Sequence, residues 1–316
     1  MLIKILDKAS LGEDTPLEVL SSLGEVVFYN STSQNEIKER IADAEVIIIN
    51  KVRITAEVIA SAPRLRLICV FATGYDNIDL AAAKLAGVAV CNVPGYSTDS
   101  VALFILSTVL ALCSHLFEYD RFVKSGRYLA EGLPNRLVPV YHEIKGKTWG
   151  IIGYGNIGKA VARIADAMGA KVIVYTRTPT DERCNVDIDT LCREADIITL
   201  HCPLNEGTAG LINAQKIALM KSGVIIVNEA RGAVLNEADV ADALLKGRIG
   251  GFGSDVYSKE PFEKEHPYNA IMNLPNVILT PHAAWGSYES RERCIGVIAN
   301  NIRAFIKGET LNRVDK

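Results

Sequence analysis

Three charged side chains stand at matching places after three apolar runs. They are Arg231 in Val227-Asn228-Glu229-Ala230-Arg231-Gly232, Glu260 in Asp255-Val256-Tyr257-Ser258-Lys259-Glu260-Pro261, and His282 in Leu279-Thr280-Pro281-His282-Ala283-Ala284-Trp285. Arginine is permanently charged and offers a planar fork suited to a carboxylate. An acid beside an imidazole favours the protonated ring, so Glu260 and His282 together make a general acid toward a carbonyl oxygen. Such a role is worth about 10²–10⁴ in rate, far beyond what a surface ion pair adds to stability. Each residue also has a plainer reading: Arg231 in a structural ion pair, Glu260 as an acid ahead of Pro261, His282 closing the Pro281 turn. Their recurrence after successive strands joins them, because ligands of an open parallel sheet bind outside the carboxyl ends of the strands.

A second stretch supplies phosphate chemistry. Trp149-Gly-Ile-Ile-Gly-Tyr-Gly-Asn-Ile-Gly contains Gly153-x-Gly155-x-x-Gly158. It follows an apolar strand, opens an amphipathic helix ending at Gly169, and leads directly into another strand, which is the βαβ context of a dinucleotide fingerprint. Gly153 permits the turn out of the strand. Gly155 lets a pyrophosphate approach the backbone, and Gly158 lets helix and strand pack closely. The free N–H groups and positive end of the helix then face the phosphates.

The next strand sets the cofactor preference. An acid that would hold the ribose 2′-OH is expected roughly 20 residues after the glycines. The chain reads Val174-Tyr175-Thr176-Arg177-Thr178, with no acid from Lys171 to Thr180. Arg177 can pair with a 2′-phosphate and Thr176 or Thr178 can donate to it. NADP(H) is therefore expected over NAD(H), the alternative being a solvated Arg177 and tolerance of both.

Positioning these groups requires an alternating α/β chain. Short Val/Ile/Leu runs predict strands at 2–6, 25–29, 46–50, 67–71 and 88–92, then at 148–153, 171–176, 197–201, 224–228, 250–255 and 277–280. Helices are predicted at 55–61, 80–85 and 289–307. Continuous apolar runs point to parallel sheets covered on both faces. Asn92-Val-Pro-Gly-Tyr-Ser-Thr-Asp-Ser reads as a linker, with Thr98 capping a long helix.

Composition limits the alternatives. The 316 residues suit about two domains. Lys+Arg number 34 against 37 Asp+Glu, a net charge of -3, so there is no basic surplus for nucleic acid. The apolar run Val101 to Cys113 falls short of the ~20 residues a bilayer needs. The start, Met1-Leu-Ile-Lys-Ile-Leu, alternates like a strand and lacks a signal peptide's apolar core. Seven cysteines, an odd number without a CxxC pair, argue against disulfides or zinc and suit a reducing cytoplasm; no metal is expected. His201 reads as structural, His115, His142 and His266 as ordinary, and Cys202 as no nucleophile.

These residues carry a resemblance that spans nearly the whole chain. Ala72-Thr73-Gly74-Tyr75-Asp76-Asn77-Ile78-Asp79, the glycine loop, His201-Cys202-Pro203-Leu204 and the three charged segments resemble the D-isomer-specific 2-hydroxyacid dehydrogenase family. The segments at 92–102 and 283–285 are most similar to its glycerate dehydrogenase (hydroxypyruvate reductase) branch. The resemblance implies two doubly wound parallel-sheet domains. A Rossmann cofactor domain, 98–285, would be inserted in a flavodoxin-like substrate domain, 1–97 and 286–316. It further implies that His282 is the acid/base, that Glu260 tunes it, and that Arg231 binds the substrate carboxylate and carbonyl. Asp255 would hold the nicotinamide amide, and Asn156 and Ile157 would meet the pyrophosphate. Cys202, Pro203, Thr208, Glu229 and Ala230 would line the cofactor cleft beside Arg231 and His282. Lys51, with Arg53 nearby, and the backbone of Ala72, Thr73 and Gly74 would meet the substrate. Hydroxypyruvate and glyoxylate are the implied substrates, and a homodimer the implied assembly. The alternatives are a cofactor-sensing co-repressor and a formate- or phosphite-type dehydrogenase. Two residues depart from the family pattern: Thr176-Arg177 replaces its acid, and Glu229 stands where a small or neutral residue is usual. If only the Glu229 backbone faces the cofactor it costs little; if its side chain points inward, it disfavours phosphate.

Overall fold

The Val/Ile/Leu runs of the first hundred residues pair as five parallel strands: β1 (Leu2–Ile5), β2 (Glu25–Phe28), β3 (Val46–Ile49), β4 (Leu67–Val70) and β5 (Ala89–Cys91). Their order is β2-β1-β3-β4-β5, the doubly wound flavodoxin-like order. Every residue of β3 and β4 is buried, as expected of strands covered on both faces. The computed structural model describes residues 1–179 and 183–316. In it, Met1–Ser97 and Gly286–Lys316 form one compact unit and Thr98–Trp285 another.

The end of the chain returns to the first sheet. Ser287 caps the helix Tyr288–Ile306 by accepting from the Ser290 amide. Ile295, Ile298 and Ile302 recur at three- and four-residue steps and, with Cys294, are buried in that unit. The Asp315 carboxylate then accepts the Val90 amide at 2.8 Å, tying the last residues to β5.

The second unit carries seven parallel strands: β6 (Thr148–Ile152), β7 (Lys171–Tyr175), β8 (Cys184–Asn185), β9 (Ile197–Leu200), β10 (Val224–Asn228), β11 (Ile249–Ser254) and β12 (Val277–Leu279). The order is β12-β11-β10-β9-β6-β7-β8, so the winding reverses between β6 and β9. That reversal is the switch point where a Rossmann sheet opens a crevice. β8 has only two residues, both exposed, and gives no apolar run to read in sequence. Trp149 of β6 is fully buried and donates its indole N–H to Thr199 Oγ1 of β9 at 3.1 Å.

The long helix begins at Thr98 and runs to Ser114, so Thr98 is its first residue rather than a residue outside it. It packs on β10 and β11. The fit is close enough that a Cβ on Gly253 would stand 2.3 Å from Thr108 Cγ2. No single helix among the described residues is long and apolar enough to cross a membrane.

Candidate active site

The glycine loop joins β6 to the helix Asn156–Ala167, and each glycine has its own steric reason. Gly153 has φ +94°, and a Cβ there would lie 2.7 Å from the Cys202 amide nitrogen. Turn geometry and the close approach of the β9 loop therefore both demand glycine. A Cβ on Gly158 would lie 2.2 Å from the Gly153 carbonyl oxygen, so the helix seats directly on the loop. Gly155 faces open space, and no side chain caps the helix behind it. Bare N-terminal amides at Asn156 and Ile157, with room above them, fit a pyrophosphate.

β7 pairs with β6, so Thr176 and Arg177 leave the sheet beside this loop, Arg177 being exposed. On the other side, β9 leads into His201 and Cys202. Burial pushes the His201 imidazole down to about 3 and the Cys202 thiol up to about 11. His201 Nε2 lies 2.9 Å from Thr199 Oγ1, which also accepts from Trp149. A neutral His201 accepting from Thr199 satisfies that chain of partners. Thr208 closes the following loop by donating to the Pro203 carbonyl at 2.6 Å and accepting the Asn205 amide at 2.8 Å.

The three charged segments follow neighbouring strands β10, β11 and β12. Asn228, buried at the end of β10, accepts the Ala230 amide and donates to the Arg231 carbonyl, which shapes the turn carrying Arg231. A Cβ on Gly232 would stand 2.0 Å from the Tyr257 carbonyl carbon, so the Arg231 turn lies directly against the loop after β11. In that loop Glu260 accepts the Tyr257 amide at 3.2 Å through Oε1. Its Oε2 accepts from His282 Nδ1 at 2.6 Å. Asp255, 2% exposed, accepts from Thr280 Oγ1, the Ala283 amide and the Ala284 amide at 2.6–2.9 Å, which fixes the backbone just after His282 and the Thr280 side chain before it. The Tyr257 hydroxyl adds a bond to the Thr280 carbonyl at 2.7 Å. Under these ties His282 holds φ +55°, a left-handed backbone that is uncommon outside glycine. The surrounding bonds hold the residue in this sparsely populated conformation.

Glu229 has an environment its sequence position does not reveal. Its carboxyl is buried, Oε2 has no hydrogen-bond partner, and burial together with the Asp255 charge pushes it up to about 9. It hydrogen bonds with Thr108 of the long helix. Burial there favours the uncharged form of the carboxyl.

The remaining expected residues lie in the first unit, at the carboxyl ends of its strands. Lys51 follows β3 and Ala72-Thr73-Gly74 follow β4. Asp7, which sequence reading missed, organises the first loop: its buried carboxylate accepts the amides of Asn50, Lys51 and Val52. Thr73 donates its hydroxyl to the Val93 carbonyl at 2.9 Å. Two further residues were also missed, Glu237 and its partner His266, which meet at 3.0 Å beneath the Glu260 loop. An acid at the start of a helix and a histidine before a proline look ordinary in sequence; only the fold brings them together. All seven cysteines are free thiols, and no metal-holding cluster of His, Cys, Asp or Glu occurs among the described residues.

Residues 106–284 match the family described as D-isomer specific 2-hydroxyacid dehydrogenase, NAD binding domain. The chain belongs to that family of nicotinamide-dependent oxidoreductases. It is 38% identical to the hydroxypyruvate reductase of Blautia hydrogenotrophica, over 100% of both chains. It is 37% identical to the glycerate dehydrogenase of Methylorubrum extorquens, over 99% of this chain and 98% of that one. Among solved structures, an acyclic imino acid reductase in complex with NADPH and D-Arg superposes with a TM-score of 0.88 at 30% identity, covering 99% of this chain and 100% of the other.

Proposed function

We propose that this enzyme reduces hydroxypyruvate or glyoxylate to the D-2-hydroxy acid, with His282 as the acid, Glu260 supporting it and Arg231 clamping the carboxylate. The observation that carries this is the 2.6 Å bond from His282 Nδ1 to Glu260 Oε2 on a backbone fixed by Asp255. The bond orients the ring so that Nε2 is the nitrogen that gives a proton to the substrate carbonyl oxygen. Glu260 thereby holds the ring in one orientation and one tautomer. Lys51 and the backbone of Ala72, Thr73 and Gly74 are the further groups proposed to bind substrate.

The bound dinucleotide supplies the hydride equivalent for the substrate carbon. Gly155, Asn156 and Ile157 hold its pyrophosphate, Asp255 its amide, and Cys202, Pro203, Thr208 and Ala230 its flanks. Arg177 and Thr176 select NADPH by pairing with its 2′-phosphate. The assembly is a homodimer. Leu116, Phe117, Leu129, Leu137 and Val140 are exposed apolar side chains in one stretch of the second unit, and a second copy covers them. Seven free thiols suit a reducing cytoplasm.

Oxidation of NADPH and NADH with hydroxypyruvate, glyoxylate, pyruvate and phenylpyruvate tests the reading. Hydroxypyruvate and glyoxylate should give the highest kcat/KM, and NADPH should exceed NADH. Turnover of none of the four, or a strong NADH preference, would overturn the corresponding part.

A further inference from the structure

Glu260 meets His282 only if the loop after β11 keeps its place; the Asn269 side-chain amide ties its far end by donating to the carbonyls of Glu263, Lys264 and His266 at 2.9–3.0 Å. Beyond Glu260, residues 261–268 run over the start of the helix Glu237–Leu245. There a buried acid collects the loop. Glu237 accepts the Ser258 amide at 2.9 Å through Oε1, and accepts the Ser258 hydroxyl and His266 Nε2 through Oε2. The His266 and Glu237 side chains are only 7% and 8% exposed. His266 Nδ1 accepts the Tyr268 amide at 3.2 Å, so the ring proton sits on Nε2 and points at the carboxylate.

The surroundings hold the imidazole on every side. Its ring centroid is 4.8 Å from that of Tyr268, 4.9 Å from Phe262 and 6.1 Å from Tyr257. Tyr257 and Ser258 lie just ahead of Glu260, and Phe262 two residues after it, so the clasp grips both flanks of the acid. A buried carboxylate with three donors is costly to break, because removing a donor leaves charge unpaired in a poorly solvated place.

We propose that the Glu237–His266 pair is a positioning element for catalysis: it fixes loop 257–268 so that the Glu260 carboxylate stands against His282. The pair acts through Glu260 and does not itself touch substrate. The inference rests on the catalytic reading of Glu260 and His282 above.

The test is a mutant cycle on the full-length enzyme, with hydroxypyruvate turnover, NADPH affinity and melting temperature measured for each variant. His266→Phe keeps an aromatic ring but loses the donor. It should lower kcat by about 10- to 100-fold, the cost of a small misplacement of a catalytic group, while NADPH affinity stays unchanged. His266→Gln keeps a donor at the reach of Nε2 and should recover most of the loss. In a Glu260→Gln background, His266→Phe should add almost nothing, since coupled residues are non-additive. Ser258→Ala, a milder change that removes one hydroxyl donor to Glu237, should show the same non-additivity at smaller size. Full additivity with Glu260→Gln, or a kcat loss that merely tracks melting temperature, overturns the proposal. If Glu260→Gln alone turns over like the parent, the catalytic reading fails instead; if it is impaired while His266→Phe is not, only the positioning role fails.

Discussion

The carboxyl edge of the seven-stranded sheet carries two kinds of machinery side by side. After β6 the polypeptide backbone does the work: bare amides at a helix start, with glycines where a Cβ would meet the neighbouring loop or fill the ligand's space. After β10, β11 and β12 the side chains do it, and a dense set of hydrogen bonds from Asn228, Asp255, Tyr257 and Glu237 fixes them. On the proposed function, the contrast follows from what each half would bind. A pyrophosphate is large, fully charged and met by several amides at once, so local conformation suffices. A proton must be handed over at one atom, and an acid displaced by an ångström loses much of its effect.

Substitutions separate the halves. Arg231→Ala should have the largest effect, lowering kcat/KM for hydroxypyruvate by about 3 kcal/mol, roughly 10²-fold, through both kcat and KM. NADPH affinity measured by fluorescence should change much less. Gly155→Val should do the reverse. Its side chain meets nothing in the protein, so the fold should persist while dinucleotide affinity drops by about tenfold or more. Unfolding of this variant would mean that Gly155 is needed for packing and not for the ligand. Arg177→Asp should move the ratio of kcat/KM for NADPH over NADH about tenfold toward NADH, with little change in hydroxypyruvate KM.

A separate effect falls on stability. Between the usual carboxylic range and about 9, folded Glu229 keeps a proton that the unfolded chain has released. Stability present at acid pH is therefore lost as pH rises through that window, by up to about 1.4 kcal/mol per pH unit. Glu229→Gln removes this slope, so its melting temperature should pull ahead of the parent's as pH increases. Parallel curves for the two proteins would show that Glu229 is ionised when folded.

The two halves were also legible in sequence to different degrees. The glycine loop is readable because its spacing sits in a strand–turn–helix context, and each steric demand is local. Arg231, Glu260 and His282 are readable as residue types at strand ends, and the bond between the last two follows from strand order. Glu229 is ambiguous in sequence because its protonation depends on Asp255 and Thr108, which the sheet and the long helix bring to it. Asp7, Glu237 and His266 are invisible for the same reason: their partners lie 43, 21 and 29 positions away or more. The two-residue strand β8 carries no periodicity at all.

The central claim is that His282, held by Glu260, delivers the proton. A single-turnover reduction of hydroxypyruvate by NADPH-loaded His282→Gln enzyme tests it most directly, with NADPH affinity measured on the same sample. The account predicts a rate at least ~10²-fold below the parent's with affinity unchanged. A rate close to the parent's would contradict it.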